Sequence, residues 1–139
     1  MKFKVENESE LNNVVTEILQ HHPTTKIFLF TGNLGAGKTT MIKYFANQLG
    51  YSGKVQSPTY GLVNEYNTAN KTIIYHFDLY RLKNLNEAID IGLEDYLYSN
   101  NYCFIEWYNM VEQLLPNNCV VINIDVDSQQ RIITSSVLQ

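Results

Sequence analysis

Residues 32–39 have the types and spacing of a phosphate-binding loop. They read Gly-Asn-Leu-Gly-Ala-Gly-Lys-Thr and fit the pattern G-x-x-x-x-G-K-[ST]. Glycines allow the backbone to curl with positive φ, so that successive N–H groups point at an anion. In such a loop the lysine, here Lys38, reaches the phosphates as a point charge, and the hydroxyl of Thr39 is a ligand for Mg²⁺. The motif therefore predicts binding of a nucleoside triphosphate together with Mg²⁺.

The elements on either side of this loop agree with the motif. Residues 26–30 form a short apolar run, which is typical of a buried strand. Residues 40–49 have apolar side chains at helical spacing, and Gly50 is a natural helix stop. A strand, a loop and a helix in this order are the context that such a motif requires. The residues predicted to contact the nucleotide here are Asn33, Leu34, Gly35, Ala36, Gly37, Lys38, Thr39 and Thr40.

Hydrolysis also needs an acidic group that helps to hold Mg²⁺ and a group that orients the attacking water. Two apolar runs end directly at a carboxylate, one at Asp78 and the other at Glu106. The pattern alone does not choose between these two acids. Thr59 follows a proline between the loop helix and the next strand, where it is either a turn residue or a switch that senses the γ-phosphate. Trp107 is either an aromatic anchor or a group that packs over the nucleotide or lines a partner surface.

Composition limits the class of protein. A chain of 139 residues with 45% hydrophobic residues predicts a single domain over 1–139 with a substantial core. The net charge of −4 argues against a free-standing nucleic-acid binder. Cys103 and Cys119 lie in apolar runs, so we expect buried free thiols and a reducing, cytoplasmic location. The chain has no apolar run of the roughly 18 residues that would span a bilayer, so we expect no membrane association.

Hydrophobic periodicity over the rest of the chain predicts an α/β fold of the P-loop NTPase type. We expect three layers, with a mainly parallel central sheet and added antiparallel strands in hairpins. Ser9 is the predicted N-cap of a first helix that ends near Gln20. The remaining predicted elements are an edge strand at 3–5, a hairpin of strands 62–66 and 72–77, a helix over 85–100 broken near Gly92, a strand at 102–105, a short helical stretch at 111–115, and a final hairpin of strands 119–126 and 131–138.

Five sequence blocks occur together in order. They are the phosphate loop, Ser-Pro-Thr-Tyr at 57–60, His-Phe-Asp-Leu-Tyr-Arg at 76–81, Gly-Leu-Glu-Asp-Tyr at 92–96 and Ile-Glu-Trp at 105–107. In this combination the chain resembles the TsaE (YjeE) family, which are small bacterial P-loop ATPases of tRNA threonylcarbamoyladenosine synthesis. The resemblance covers about residues 5–127. The phosphate loop is common to many proteins, whereas the other blocks are far more specific in combination.

The resemblance implies roles that spacing did not establish. It implies that Thr39 and Glu106 hold Mg²⁺, that Asp78 orients the attacking water, and that Thr59 lies in a switch-like loop. It also implies ATP/ADP as the nucleotide and the TsaB and TsaD proteins as partner subunits. TsaD would transfer the threonylcarbamoyl group to adenosine 37 of tRNA, so that this chain meets tRNA only through the complex. The ATPase would reset or activate that complex between cycles.

The chain departs from the family pattern at two places. Asn33 stands where the family usually has Asp, and Tyr108-Asn109 follow the Glu-Trp pair where the family usually has Pro-Glu. Two other functions fit the same loop: a small-molecule kinase, and a nucleotide-gated module that only binds another protein. The sequence has no Arg-rich lid of the kinase type and no Asn-Lys-x-Asp guanine motif. These absences favour hydrolysis and ATP.

Overall fold

The structure is a computed structural model that describes residues 1–33, 35–58 and 61–139. Seven strands of this part form one sheet in the order β1-β7-β6-β2-β5-β4-β3. The strands are β1 Lys2–Val5, β2 Ile27–Thr31, β3 Val63–Asn67, β4 Ile73–Asp78, β5 Tyr102–Glu106, β6 Cys119–Asp127 and β7 Gln130–Val137. The α-helices are α1 Leu11–His21, α2 Lys38–Gln48, α3 Leu85–Asp90 and α4 Leu93–Leu97, and short 3-10 helices cover Glu8–Glu10 and Asn109–Leu114.

The centre of the sheet is parallel. Strand β2 pairs in parallel with β5 on one side and β6 on the other, and β5 pairs in parallel with β4. The outer pairs β1/β7, β6/β7 and β3/β4 are antiparallel. This confirms the predicted α/β fold with a mainly parallel core and added hairpins. Because parallel strands end at the same edge, the segments that follow β2, β4 and β5 meet at one place, which is where such sheets bind ligands.

Side chains point alternately to the two sides of the central strands, and both faces of the sheet are apolar. Phe28 and Phe30 of β2 point to the layer that contains α1 and α2, whereas Leu29 points to the layer that contains α3 and α4. Strands buried on both faces read as continuous apolar runs, as the sequence of β2 does. Phe45 of α2 packs on this sheet with ring centroids 5.2 Å from Phe28 and 5.7 Å from Phe104. Each fully buried Phe contributes about 1.5–3 kcal/mol, so this cluster fixes α2 and the loop before it.

The start of the first helix differs from the prediction. Ser9 is not its N-cap, because it lies inside the 3-10 turn that precedes α1. The carboxylate of Glu10 reaches back and accepts hydrogen bonds from the backbone N–H of Glu6, at 3.0 Å, and of Asn7, at 2.9 Å. The bond from the Asn7 N–H to Glu10 is the returning half of a capping box, so the chain begins to turn at Asn7 and Ser9 lies within the turn. The predicted break at Gly92 is confirmed, with φ of +77° between α3 and α4.

The cysteines are as expected from their apolar surroundings. Cys103 and Cys119 are both buried and free. Burial raises the pKa of the Cys103 thiol to about 12 and that of the Cys119 thiol to about 11. Both thiols are therefore protonated and unreactive at neutral pH. Across the described residues, no helix is long and apolar enough to cross a membrane.

Candidate active site

The phosphate loop joins the end of β2 to the start of α2. Gly32 leaves β2 with φ of +146°, and a Cβ atom there would lie 2.6 Å from the backbone oxygen of Ile124. Gly37 has φ of +106° and is the N-cap of α2, so the helix begins at Lys38. A side chain is disfavoured at both positions, by the close approach in one case and by the left-handed backbone in the other. The free N–H groups at the start of α2 make this end of the helix attractive to anions.

Lys38 lies against the loop that precedes it. Its Nζ donates to the backbone oxygen of Gly32 at 2.6 Å and of Asn33 at 3.4 Å, and it lies 4.3 Å from the centroid of the Trp107 ring. The residue is 6% exposed. Burial lowers the pKa of this ammonium, against the opposing pull of the Glu106 and Asp78 charges. A desolvated cation held by uncharged carbonyl oxygens is well suited to exchange them for negatively charged phosphate oxygens.

Thr39 and Glu106 meet at the carboxyl edge of the sheet. The Thr39 Oγ1 lies 3.5 Å from Glu106 Oε1 and 3.4 Å from Oε2. Ser57 Oγ forms a triangle with them, 3.0 Å from Thr39 Oγ1 and 3.4 Å from Glu106 Oε2. Glu106 is only 3% exposed, at the last position of β5. Two hydroxyls and one carboxylate thus converge from three separate segments of the chain.

Asp78 stands beside Glu106 on the next strand. The two residues are register partners at the ends of β4 and β5. Asp78 Oδ1 accepts the backbone N–H of Tyr80 at 3.1 Å, which fixes the carboxylate above the strand end. Burial raises the pKa of Asp78, and the Glu106 charge raises it further, while the Tyr80 hydrogen bond lowers it. Asp78 is therefore a better proton acceptor than an ordinary surface aspartate.

Trp107 adopts an unusual backbone conformation. Its φ is +59°, which is rare for a bulky residue and marks a position held by its surroundings. Its ring packs against Tyr80 with centroids 4.9 Å apart, as well as over Lys38. The half-buried indole thus connects the phosphate loop to the segment after Asp78.

Most of the other predicted loop residues surround this point. Asn33 and Gly35 are exposed, and the Asn33 carbonyl accepts the Ala36 N–H at 3.0 Å. Thr40 lines a cavity of about 320 Å³ together with Ala36 and Gly37. The predicted residues Leu34 and Thr59 lie outside the described part of the chain.

Sequence reasoning did not name Ser57 as a site residue, although its hydroxyl lies beside Thr39 and Glu106. It also missed three further side chains. His76 Nε2 lies 2.8 Å from Glu106 Oε2, and Tyr66 OH lies 2.8 Å from His76 Nδ1. Arg131 of β7 donates from Nε to the backbone oxygen of Ala36 at 3.1 Å. Only His76 had a visible signal, since a polar ring within an apolar strand needs a buried partner. No local pattern indicated Tyr66 or Arg131.

The residues at this edge fit a magnesium ion. Mg²⁺ prefers oxygen ligands and is usually bound by one or two carboxylates together with substrate phosphates. Thr39 and Glu106 supply a hydroxyl and a carboxylate at one point, and Asp78 is adjacent. Among the described residues there is no cluster of three or more His, Cys, Asp or Glu side chains that could hold a metal by itself. The donor set therefore suits an ion that arrives with a phosphate group.

The chain is similar to proteins of one known family. Residues 5–133 match the family model described as Threonylcarbamoyl adenosine biosynthesis protein TsaE. The tRNA threonylcarbamoyladenosine biosynthesis protein TsaE of Haemophilus influenzae is 43% identical over 109 residues, which are 78% of this chain and 68% of that protein. Its counterpart from Bacillus subtilis is 34% identical over 116 residues, which are 84% of this chain and 72% of that protein.

A solved structure extends the comparison to the fold. The crystal structure of Bacillus subtilis YdiB superposes with a TM-score of 0.79 at 28% identity, covering 100% of this chain and 86% of that one. The family match reaches into β7 and so includes Arg131, beyond the range over which the sequence blocks alone indicated a resemblance. The sequence blocks, the fold and these matches lead to one conclusion: the chain belongs to the TsaE family of threonylcarbamoyl adenosine biosynthesis proteins.

Proposed function

We propose that this chain is a Mg²⁺-dependent ATPase that acts with TsaB and TsaD in the threonylcarbamoyladenosine modification of tRNA. One observation carries the proposal: the hydroxyl of Thr39, at the start of the phosphate-loop helix, lies 3.4 Å from the carboxylate of Glu106. A hydroxyl and an acid that meet beside a phosphate loop are the protein's share of a magnesium–triphosphate site. The names of the relatives in tRNA threonylcarbamoyladenosine biosynthesis support the cellular role.

Each group in the site has a distinct part in the proposed reaction. The loop amides and Lys38 bind the phosphates, and Thr39 and Glu106 hold Mg²⁺. When bound, Mg²⁺ would neutralise charge on the β- and γ-phosphates. Asp78 orients a water molecule towards the γ-phosphorus and accepts its proton, and the bond to the bridging oxygen breaks to leave ADP and inorganic phosphate. The raised pKa of Asp78 suits it to this proton transfer.

The surroundings of the loop leave room for the rest of the nucleotide. The cavity of about 320 Å³ beside Ala36 and Thr40 has apolar walls such as Met41 and also charged ones such as Glu6 and Arg131. A concave site that combines apolar walls with polar groups can take a small polar ligand such as a nucleobase. Trp107, packed on Lys38, is placed to respond to phosphate binding.

The test is hydrolysis measured with and without the partner subunits. The purified chain is expected to bind ATP and ADP in calorimetry, and to release phosphate faster when TsaB and TsaD are added. A reconstituted tRNA modification assay is expected to lose turnover when this chain is omitted. The absence of any binding heat for adenine nucleotides, even with both partners present, would contradict the proposal.

The same experiment separates the two alternatives. Transfer of the γ-phosphate to an added acceptor, with little free phosphate, would indicate a kinase. Nucleotide-dependent binding to TsaB and TsaD without any Mg²⁺-dependent hydrolysis would indicate a nucleotide-gated interaction module. The position of Asp78 beside Glu106 favours a catalytic role over the interaction module, because a purely binding site needs no proton acceptor.

A further inference from the structure

A buried chain of hydrogen bonds leads away from Glu106. His76 Nε2 lies 2.8 Å from Glu106 Oε2, and His76 Nδ1 lies 2.8 Å from the hydroxyl of Tyr66. That hydroxyl in turn lies 3.0 Å from the backbone oxygen of Gln56 and 3.3 Å from its backbone nitrogen. His76 is 0% exposed and Tyr66 is 4% exposed. The chain therefore joins the end of β5 to the residue immediately before Ser57, with both intervening side chains shielded from water.

The donors and acceptors in this chain place a proton on one ring nitrogen. An ionised Glu106 carboxylate can only accept, so His76 Nε2 must donate to it. The Tyr66 hydroxyl can then donate to Nδ1 of a neutral ring, or it can accept from Nδ1 and donate to the Gln56 carbonyl. The first arrangement leaves the contact between the Tyr66 hydroxyl and the Gln56 carbonyl oxygen without a hydrogen, whereas the second puts a hydrogen in every contact. Both keep the proton on Nε2. The direction of the bond to Glu106 is thus the same in either case.

The bond from His76 decides how the Glu106 carboxylate is turned. At 2.8 Å it is a short, charge-assisted hydrogen bond. The contacts of Glu106 with Thr39 and Ser57 are 3.4–3.5 Å long and correspondingly weak. A carboxylate rotates freely about its last bond unless something holds it, and here the strong contact comes from His76. In this orientation both oxygens lie within 3.5 Å of the Thr39 hydroxyl, where Mg²⁺ is proposed to bind, and Oε1 is the one that does not contact His76.

We infer that His76 and Tyr66 are positioning residues that orient Glu106 for Mg²⁺ and tie it to the segment that carries Ser57. Groups behind a metal ligand commonly fix its direction in this way. Tyr66 is itself held by a stacked contact with Tyr51, with ring centroids 4.7 Å apart. The inference rests on the proposed function, because it takes Glu106 to be the Mg²⁺ ligand. A purely structural role, in which the three groups only satisfy one another in the core, is the alternative.

Calorimetry with ADP at a series of Mg²⁺ concentrations distinguishes these roles. For His76→Leu, the Mg²⁺ concentration that gives half of the maximal effect on ADP affinity is expected to rise about 10-fold or more. ADP affinity measured in a chelator is expected to stay within about twofold, because His76 does not face the phosphates. His76→Gln, whose amide reaches about as far as Nε2 and can donate to Glu106, is expected to recover much of the loss. Tyr66→Phe removes the hydrogen bond to His76 Nδ1. It is expected to raise the same Mg²⁺ concentration, called the Mg²⁺ midpoint below, by a smaller factor of about five.

Tyr75→Phe is the matched control for Tyr66→Phe. Tyr75 precedes His76 on β4 but points to the opposite face of the sheet, where its ring packs on Tyr96. Its hydroxyl makes no hydrogen bond within the part of the chain that the structure describes. Removal of this hydroxyl is expected to leave the Mg²⁺ midpoint unchanged.

Nitrogen-15 NMR of His76 tests the same inference without any ligand. The wild-type ring is expected to show a slowly exchanging proton on Nε2, and its absence would overturn the inference even if the His76 variants fail to fold. A purely structural role would lower the melting temperature of His76→Leu and Tyr66→Phe without moving their Mg²⁺ midpoints. If folded variants gave that result while the ADP affinity of the wild type still depended on Mg²⁺, this inference would be overturned but the proposed function would stand. If the ADP affinity of the wild type did not depend on the Mg²⁺ concentration, both the proposed function and this inference would be overturned.

Discussion

The Thr39 hydroxyl and the Glu106 carboxylate lie 3.4 Å apart although 67 positions separate them in the chain. Thr39 is placed by the start of α2, and Glu106 by the end of β5, which is the parallel neighbour of β2. The loop that leaves β2 turns back over this edge, so the first turn of α2 faces the end of β5. The parallel order of the sheet is what brings the hydroxyl to the acid.

Glu106→Gln is expected to reduce Mg²⁺-dependent ATP hydrolysis by about 100-fold, because the amide loses the charge that binds a hard cation. ATP affinity in a chelator should change little, since Glu106 is proposed to bind Mg²⁺ and not to donate hydrogen bonds to the phosphates. Phosphate release and calorimetry measure the two effects. Glu112→Gln, at an exposed position on the following 3-10 helix, is the control. Undiminished hydrolysis in Glu106→Gln would show that Asp78 is the magnesium ligand instead.

Lys38→Ala is expected to weaken ATP binding about 10- to 100-fold, which corresponds to the loss of one charged hydrogen-bonding group. The comparison is Lys43→Ala on the same helix, whose side chain is exposed and should be neutral in calorimetry. Equal ATP affinities for the two variants would place the phosphates away from α2.

Asp78→Asn is expected to lower the hydrolysis rate about 100-fold or more, with nucleotide affinity nearly unchanged. The asparagine keeps an acceptor for the Tyr80 N–H but cannot take the proton of the water. Single-turnover hydrolysis and calorimetry on the same preparation measure the two quantities. A variant that hydrolyses ATP at the wild-type rate would exclude Asp78 as the proton acceptor.

The same variant has a predicted effect on stability that depends on pH. The pKa of Asp78 is raised in the folded state by burial and by Glu106, so folding favours the protonated carboxyl. The wild type therefore loses stability as the pH rises from below the ordinary value of 3.8 through the raised folded pKa. Asp78→Asn lacks this loss and should be more stable than the wild type at neutral pH. Urea unfolding of both proteins at several pH values measures this difference in the free energy of unfolding. A stability advantage of Asp78→Asn that grows towards low pH would contradict the raised pKa of Asp78.

Trp107 is the only tryptophan in the chain and lies 4.3 Å from the Lys38 ammonium. Saturating ATP is expected to change its fluorescence, because phosphate draws Lys38 away from the ring and alters the field at the indole. Adenosine, which has no phosphate, is the matched ligand control and should have little effect. A constant spectrum at ATP concentrations that saturate the calorimetric signal would mean that Lys38 stays on the ring.

Gly32→Ala is expected to destabilise the fold by about 1–3 kcal/mol, because the added methyl would meet the Ile124 carbonyl at 2.6 Å on a backbone with φ of +146°. Gly61→Ala is the control, since among the described residues a Cβ atom there meets nothing closer than 3.9 Å. Chemical denaturation of both variants measures the difference. An equally stable Gly32→Ala protein would mean that the loop can move away from β6 at little cost.

Local sequence was sufficient for the phosphate loop, for most strands and for the pairing of neighbouring strands into hairpins. Glycine spacing and apolar runs report backbone requirements that act within a few residues. The same locality explains the error at the first helix. Ser9 had the side chain of an N-cap, but the turn began earlier, at Asn7, whose backbone N–H donates to Glu10. Helix ends depend on which of several nearby groups captures the free N–H donors, and composition does not rank them.

By itself the sequence determined that the chain has a phosphate loop, that Asp78 and Glu106 end apolar strands, and which protein family these blocks resemble. Only the tertiary structure decided which acid contacts Thr39, that His76 and Tyr66 stand behind Glu106, and that Arg131 supports the loop at Ala36. The physical reason is the distance in sequence over which the interactions act. A turn or a strand is specified by residues close in sequence. A contact across a sheet depends on strand order and register, which are fixed only when distant segments pack together.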